Sequence, residues 1–115
     1  MEQQTAKKRI YMSLPISHYD LEERKETAMK MEVKLRGMGY DVVNPLSTKT
    51  WTAGKTTEEY MEQDIRMLLD CDAALFMHGF NRSAGCHTEL CVAMACGKDI
   101  YFEDLTDNDL YNLNK

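Results

Sequence analysis

"DAALFMHGFNRSAGCHTELCVAMACGKDIYFE", residues 72–103, decides the fold. It opens with a continuous apolar run of strand length, DAALFMH, and passes through a polar loop, GFNRSAG. CHTELCVAMAC then reads as a helix stopped by Gly97, and KDIYFE as a second apolar strand. Strand, helix, strand over so short a stretch is a βαβ unit, whose two strands run parallel. The helix carries one acid, Glu89, among Gly, Ala, Cys and Val. If Ser83 caps this helix, a capping box wants its acid at position 86, which is Cys86. The residues three and four away are Gly85, Cys86, Val92 and Ala93, so no intrahelical ion pair accounts for Glu89. Two readings stand: a solvated Glu on a short helix, or a carboxylate pointing along a crevice wall.

Working outward, RIYMSLP (9–15) is a buried strand stopped by Pro15. In residues 17–39, Leu21, Ala28, Met31 and Leu35 recur at helical spacing, with acids in front, bases near the end, and Gly37 and Gly39 closing. YDVVNP (40–45) is a second strand. The polar loop that follows contains Gly54-Lys55-Thr56, but a phosphate loop wants Gly where Lys49 stands. A second helix opens at Thr57 and places Tyr60, Ile65, Leu68 and Leu69 on one side. The order β-α-β-α-β-α-β implies a flavodoxin-like, three-layer α/β fold, a doubly wound parallel sheet of four strands in the order 2-1-3-4. Ligands of such sheets sit beyond the carboxyl ends of the strands, here between the loops after Tyr11–Leu14 and Phe76–His78. One domain over residues 1–115 is expected, with 1–8 frayed and 104–115 forming a tail.

Composition narrows the classes. Hydrophobic residues make up 43% and charged residues 29%, the balance of a globular chain. No apolar run approaches the ~20 residues of a membrane span, so no membrane partner is expected and the reading is cytoplasmic. The net charge of −5 argues against polymeric nucleic acid. Cys86, Cys91 and Cys96 are five apart, which turns successive thiols ~140° from one another on a helix, so they share no face for a metal or cross-link. With Cys71 they read as buried reduced thiols; no metal and no cofactor is called for. A second acid, Asp64, lies mid-helix, an unfavoured position for Asp, whereas Asp70 and Asp72 read as turn residues. Two carboxylates converging on one crevice is the arrangement of glycosidic-bond chemistry.

RIYMSLPIS, YMEQDIRMLLDCDAALFM and SAGCHTELCVAMACGKDI together resemble the nucleoside 2-deoxyribosyltransferase-like superfamily, over about residues 9–102. The resemblance is strongest to a small uncharacterised phage and bacterial branch, and extends to the 2′-deoxynucleoside 5′-phosphate N-hydrolases. It implies that Glu89 is the nucleophile at the anomeric carbon and that Asp64 positions the sugar and protonates the leaving base. It places Tyr11, Ser13, Pro15 and Ile16 of the first strand motif, with Ser83 and Gly85, at the substrate. The Tyr-x-x-x-Pro form of that motif is similar to the transferases, while Ser83 is similar to the hydrolases. Asn112 and Asn114 are possible counterparts of a tail that completes the pocket, in some members from a neighbouring subunit. The implied function is cleavage or base exchange at the N-glycosidic bond of a 2′-deoxynucleoside or its 5′-monophosphate. A non-catalytic nucleotide-binding module and a structural or host-interaction protein of the same fold are the alternatives. The partner is then a small nucleoside or nucleotide, and a homodimer or larger homo-oligomer is expected to cover the shallow crevice, with a monomer closed by its own tail as the alternative. His18 and His78 border that crevice as wall residues, Arg82 is a loop cation in reach of a phosphate, and Trp51 either covers the ligand or anchors its loop.

Overall fold

The structure, a computed structural model, describes residues 7–47 and 56–104. Trp51, Lys49, Gly54, Asn112 and Asn114 lie outside the described residues. The elements run β1 (Arg9–Ser13), α1 (Leu21–Gly37), β2 (Asp41–Val43), α2 (Thr57–Leu69), β3 (Ala73–Phe76), α3 (Ala84–Ala95) and β4 (Asp99–Phe102). The sheet is parallel throughout, in the order β2-β1-β3-β4, as the alternation of the sequence implies. β1 is therefore central, with Tyr11 beside Val43 on one flank and Ala74 on the other.

Alternation along β1 divides the molecule into layers. Ile10, Met12 and Leu14 face α1, where they meet Ala28, Met31 and Leu35, with Val42, Leu46, Leu75 and Met77 beside them. Tyr11 faces the other way, into a second core of Leu68, Cys71, Ala74, Phe76, Ala93 and Ile100 under α2 and α3. The helices are capped as their sequences ask. Asp20 accepts from the Glu23 N–H at 3.0 Å, and Ser83 from the Cys86 N–H at 3.2 Å. α2 opens at Thr57 as expected, and its cap is Thr56, with which Glu59 closes a capping box. Leu69, expected on the buried side, is 46% exposed at the end of that helix. Cys91 and Cys96 are exposed on α3, so only Cys71 and Cys86 are the buried thiols expected. The five-residue steps that keep these thiols apart also turn two of them outward.

At the amino edge of the sheet Arg9 ties strands and helix together. Its guanidinium bonds Asp41 at 3.0 Å and Asp70 at 2.6 Å, and its N–H donates to Asp72 at 2.9 Å. Asp70 and Asp72 are indeed turn residues, and Lys8 pairs with Asp99 of β4.

At the carboxyl edge two loops lock together. The Arg24 guanidinium stacks 4.3 Å over the Tyr19 ring, donates to the Pro15 carbonyl at 3.4 Å and grips Glu23 at 2.7 and 2.8 Å. That grip pulls the Glu23 carboxyl down to about 2. Gly79, just after β3, takes φ +89°, and a Cβ there would stand 3.1 Å from Tyr19 Oη and 3.2 Å from Pro15 Cγ. Both the backbone and the packing therefore demand glycine. We expect Gly79→Ala to destabilise the protein by about 1–3 kcal/mol in urea denaturation.

Candidate functional site

α3 buries a stripe of Cys86, Glu89 and Ala93, at the three- and four-residue spacing of one helical face. The stripe leads Glu89 down onto β1, where it is only 5% exposed. Tyr11 and Ser13, two apart on the strand, point to that same side. Tyr11 Oη donates to Glu89 Oε2 at 2.9 Å, and Ser13 Oγ donates to Oε1 at 2.6 Å. Both oxygens of the carboxylate are held, so Glu89 is not the solvated Glu of the first reading.

Asp64 lies on the inward side of α2, between Met61 and Leu68 and half-buried. Among the described residues no hydrogen bond or ion pair holds its carboxyl, and burial alone raises it to about 6. It stands near enough for its charge to act on Glu89, Tyr11 and Cys86. Burial raises Glu89 most, Ser13 and Tyr11 pull it back, and the Asp64 charge adds to the rise, leaving it at about 7. The Tyr11 phenol is pushed well up by burial and then by the neighbouring carboxylates, so it stays a donor. Burial likewise raises the Cys86 thiol, and the neighbouring Ser13 and Ser83 hydroxyls pull it back. The result is a pair of carboxyls that both exchange protons near neutrality, one fixed by two donors and the other unpartnered. Such a pair can attack an electrophilic carbon and move a proton at the same place.

The other expected residues fall around this centre. Ser83 and Gly85 form the first turn of α3, with the Ser83 oxygen accepting the Cys86 N–H. A Cβ on Gly85 would make only ordinary contacts, 3.6 Å to Met61 Cε and 3.9 Å to Ser83 Oγ. The protein's own packing does not require glycine there. Pro15 is buried in the loop after β1 against Gly79, and Ile16 packs against the core under α1. His78 is exposed, its Nδ1 2.9 Å from Asp104 and its N–H donating to Glu103 at 2.8 Å. His18 is exposed too and takes φ 73°, and Arg82 is exposed beside Ser83. Cys86 and Met61 belong to the centre although the sequence reading gave them no part in it. The spacing from Cys86 to Glu89 was the available signal.

Residues 8–102 match the family model described as "Domain of unknown function (DUF4406)". The chain belongs to that family. Among curated proteins there is no match. Solved structures with the DUF4406 chain's fold include the 2-deoxyribosyltransferase of the psychrotolerant bacterium Bacillus psychrosaccharolyticus, at 17% identity and TM-score 0.62, over 87% of this chain and 77% of that one. The 2-deoxyribosyltransferase of Leishmania mexicana is 18% identical with TM-score 0.63, over 83% of this chain and 63% of that one. A CMP N-glycosidase of Clostridium botulinum is 21% identical with TM-score 0.54, over 83% and 67%. This DUF4406 member therefore shares its fold with those two 2-deoxyribosyltransferases and that CMP N-glycosidase.

Glu89 has a measurable consequence for stability. Its carboxyl sits at about 7 in the fold against an ordinary 4.5, so the folded state binds more protons than the unfolded between those values. Stability is therefore lost as pH rises through that window. Glu89→Gln removes this loss. Relative to wild type, the variant should be more stable at pH 8 than at pH 5 by about 1–3 kcal/mol in urea denaturation at the two pH values.

Proposed function

We propose that this protein acts on the N-glycosidic bond of a 2′-deoxynucleoside or its 5′-monophosphate, by hydrolysis or base exchange, with Glu89 as nucleophile. The observation that carries the reading is the Glu89 carboxyl, buried at the carboxyl end of β1, held at both oxygens and faced by the unpartnered Asp64. The solved structures sharing the fold, two 2-deoxyribosyltransferases and a CMP N-glycosidase, support the same class of bond. A Glu89 oxygen attacks the anomeric carbon as the C–N bond breaks, and the electron pair of that bond leaves with the base. Asp64 gives the departing base its proton. Water or a second base, losing its proton to Asp64, then displaces Glu89 from the sugar ester. A 2-deoxy sugar lacks the electron-withdrawing hydroxyl, so positive charge on the ring forms readily. The Ser83 hydroxyl keeps its own proton for a 5′-oxygen of the substrate, and Gly85 leaves room for the ligand against the helix backbone.

Incubation with the four deoxynucleosides and their monophosphates, with and without a second free base, tests the reading by chromatography. Base release or exchange is expected. Glu89→Ala should lower kcat/KM about 10³-fold or more, and Asp64→Asn should lower kcat about 10²- to 10⁴-fold. The pair titrates with apparent values near 6 and 7, so kcat/KM should peak between them and fall on either side. Gly85→Ala should leave stability equal or raised by up to about 1 kcal/mol, yet raise KM. No turnover by the wild type, with nucleotide binding retained in calorimetry, would make the chain a binding module instead.

The exposed Leu69 and Met94, at the ends of α2 and α3 by the amino edge of the sheet, support a second copy seated on that helix layer. Light scattering coupled to size exclusion should give at least twice 13.3 kDa, and a mass near 13.3 kDa would remove the shared-crevice idea.

A further inference from the structure

Ser13 is fully buried at the carboxyl end of β1, and its hydroxyl gives its proton to Glu89 at 2.6 Å. Tyr11, two residues deeper on the same side of the strand, holds the other oxygen at 2.9 Å. Because Ser13 is nearer the strand's end, Oε1 is the oxygen nearer the crevice, where a ligand arrives. We infer that Ser13 is a positioning residue that holds Glu89 ionised and aimed, and so sets the pH at which the nucleophile becomes available. The inference rests on the reading of Glu89 as the attacking group.

The groups facing Glu89 are few. Among the described residues β1 offers Tyr11 and Ser13, α2 offers Asp64, and α3 itself offers Cys86; none of these is a cation. Burial and the Asp64 charge both favour the neutral carboxyl, so only hydrogen-bond donors oppose them. Ser13 makes the shorter of the two bonds and is the larger of the two opposing effects. A hydroxyl bonded to a carboxylate stabilises the anion selectively, since a protonated carboxyl accepts more weakly. As Oε1 bonds to the sugar it loses its charge, and the Ser13 bond weakens with it. A donor strong enough to ionise the carboxylate therefore lets go as the ester forms.

The test is titration of the Glu89 side-chain carboxyl by ¹³C NMR in the free protein, its resonance assigned as the one that Glu89→Gln removes. Ser13→Ala should raise the midpoint by about one pH unit. Ser13→Thr, which keeps the hydroxyl, should restore it. A midpoint unchanged in a folded Ser13→Ala protein overturns the inference, as does a midpoint in Ser13→Thr equal to that of Ser13→Ala. In the enzyme assay, the alkaline limb of the pH profile should move up by the same amount and kcat at the optimum should fall about tenfold, with KM unchanged; a fall in kcat with that limb unmoved would overturn the inference. A shifted midpoint in a protein without turnover would uphold the electrostatic role of Ser13 and refute the catalytic reading, so the two failures are distinguishable.

Discussion

A carboxylate taken out of water must be compensated where it sits, and Glu89 imposes that requirement on the centre of the molecule. Two donors meet it, both from β1, and both must reach the same side of the sheet. Alternation allows this only for residues two apart, which is the spacing of Tyr11 and Ser13. It also requires β1 to run beneath α3, so β1 has to be an inner strand. The β2-β1-β3-β4 order provides that position. Small side chains do the rest: Ala93 on α3 and Ala74 on β3 are both fully buried between helix and sheet, and they let the helix approach closely enough for the Glu89 bonds to close.

β1 consequently carries two kinds of work on its two sides. Ile10, Met12 and Leu14 contribute only apolar area to the α1 layer, where shape and volume decide what is tolerated. Tyr11 and Ser13 face the carboxylate, where hydrogen-bonding capacity decides. A substitution of equal volume is thus mild at position 12 and severe at position 11, because it strands one buried Glu89 oxygen without its donor. The loop lock at the carboxyl edge follows the same logic at a distance. Arg24, Tyr19 and Pro15 close over Gly79, and this fixes where the loops after β1 and β3 leave the sheet. The walls of the crevice are set by packing that touches neither carboxyl.

Much of this was legible in the sequence because it is periodic. Apolar runs of strand length, helical spacing in residues 21–35, and glycine stops gave the order of elements, and the alternation of strands and helices gave the sheet. Glu89 was legible as an oddity through its lack of helical partners. Its real partners were not, since nothing local ties positions 11 and 13 to position 89. Ser13 was accordingly read as a substrate contact, whereas its hydroxyl donates to Glu89. The misreadings of Leu69, Cys91 and Cys96 share one cause. Apolar character says that a residue can be buried, but only the packed helix says which of its sides finds a neighbour. At the start of α2 two adjacent threonines compete for the cap, and the acid three residues on, Glu59, selects the first.

Asp64 and Glu89 show how one crevice gives two identical groups different characters. Both are raised by burial, Asp64 to about 6 and Glu89 to about 7, so both exchange protons near neutral pH. Glu89 has two fixed donors, which orient its oxygens and favour its anion. Asp64 has none among the described residues, and its proton is committed to none of them. A group that must be aimed benefits from bonds on both oxygens, and a group that must give and retake a proton benefits from having none. Environments that push two like groups toward different tasks are the physical basis of acid–base division in active sites. Each environment also makes the folded state less stable at neutral pH than apolar residues would, since it keeps a half-charged carboxyl out of water. A fold shaped by stability alone would have no reason to hold both, and this one places them against each other on facing sides of α2 and α3.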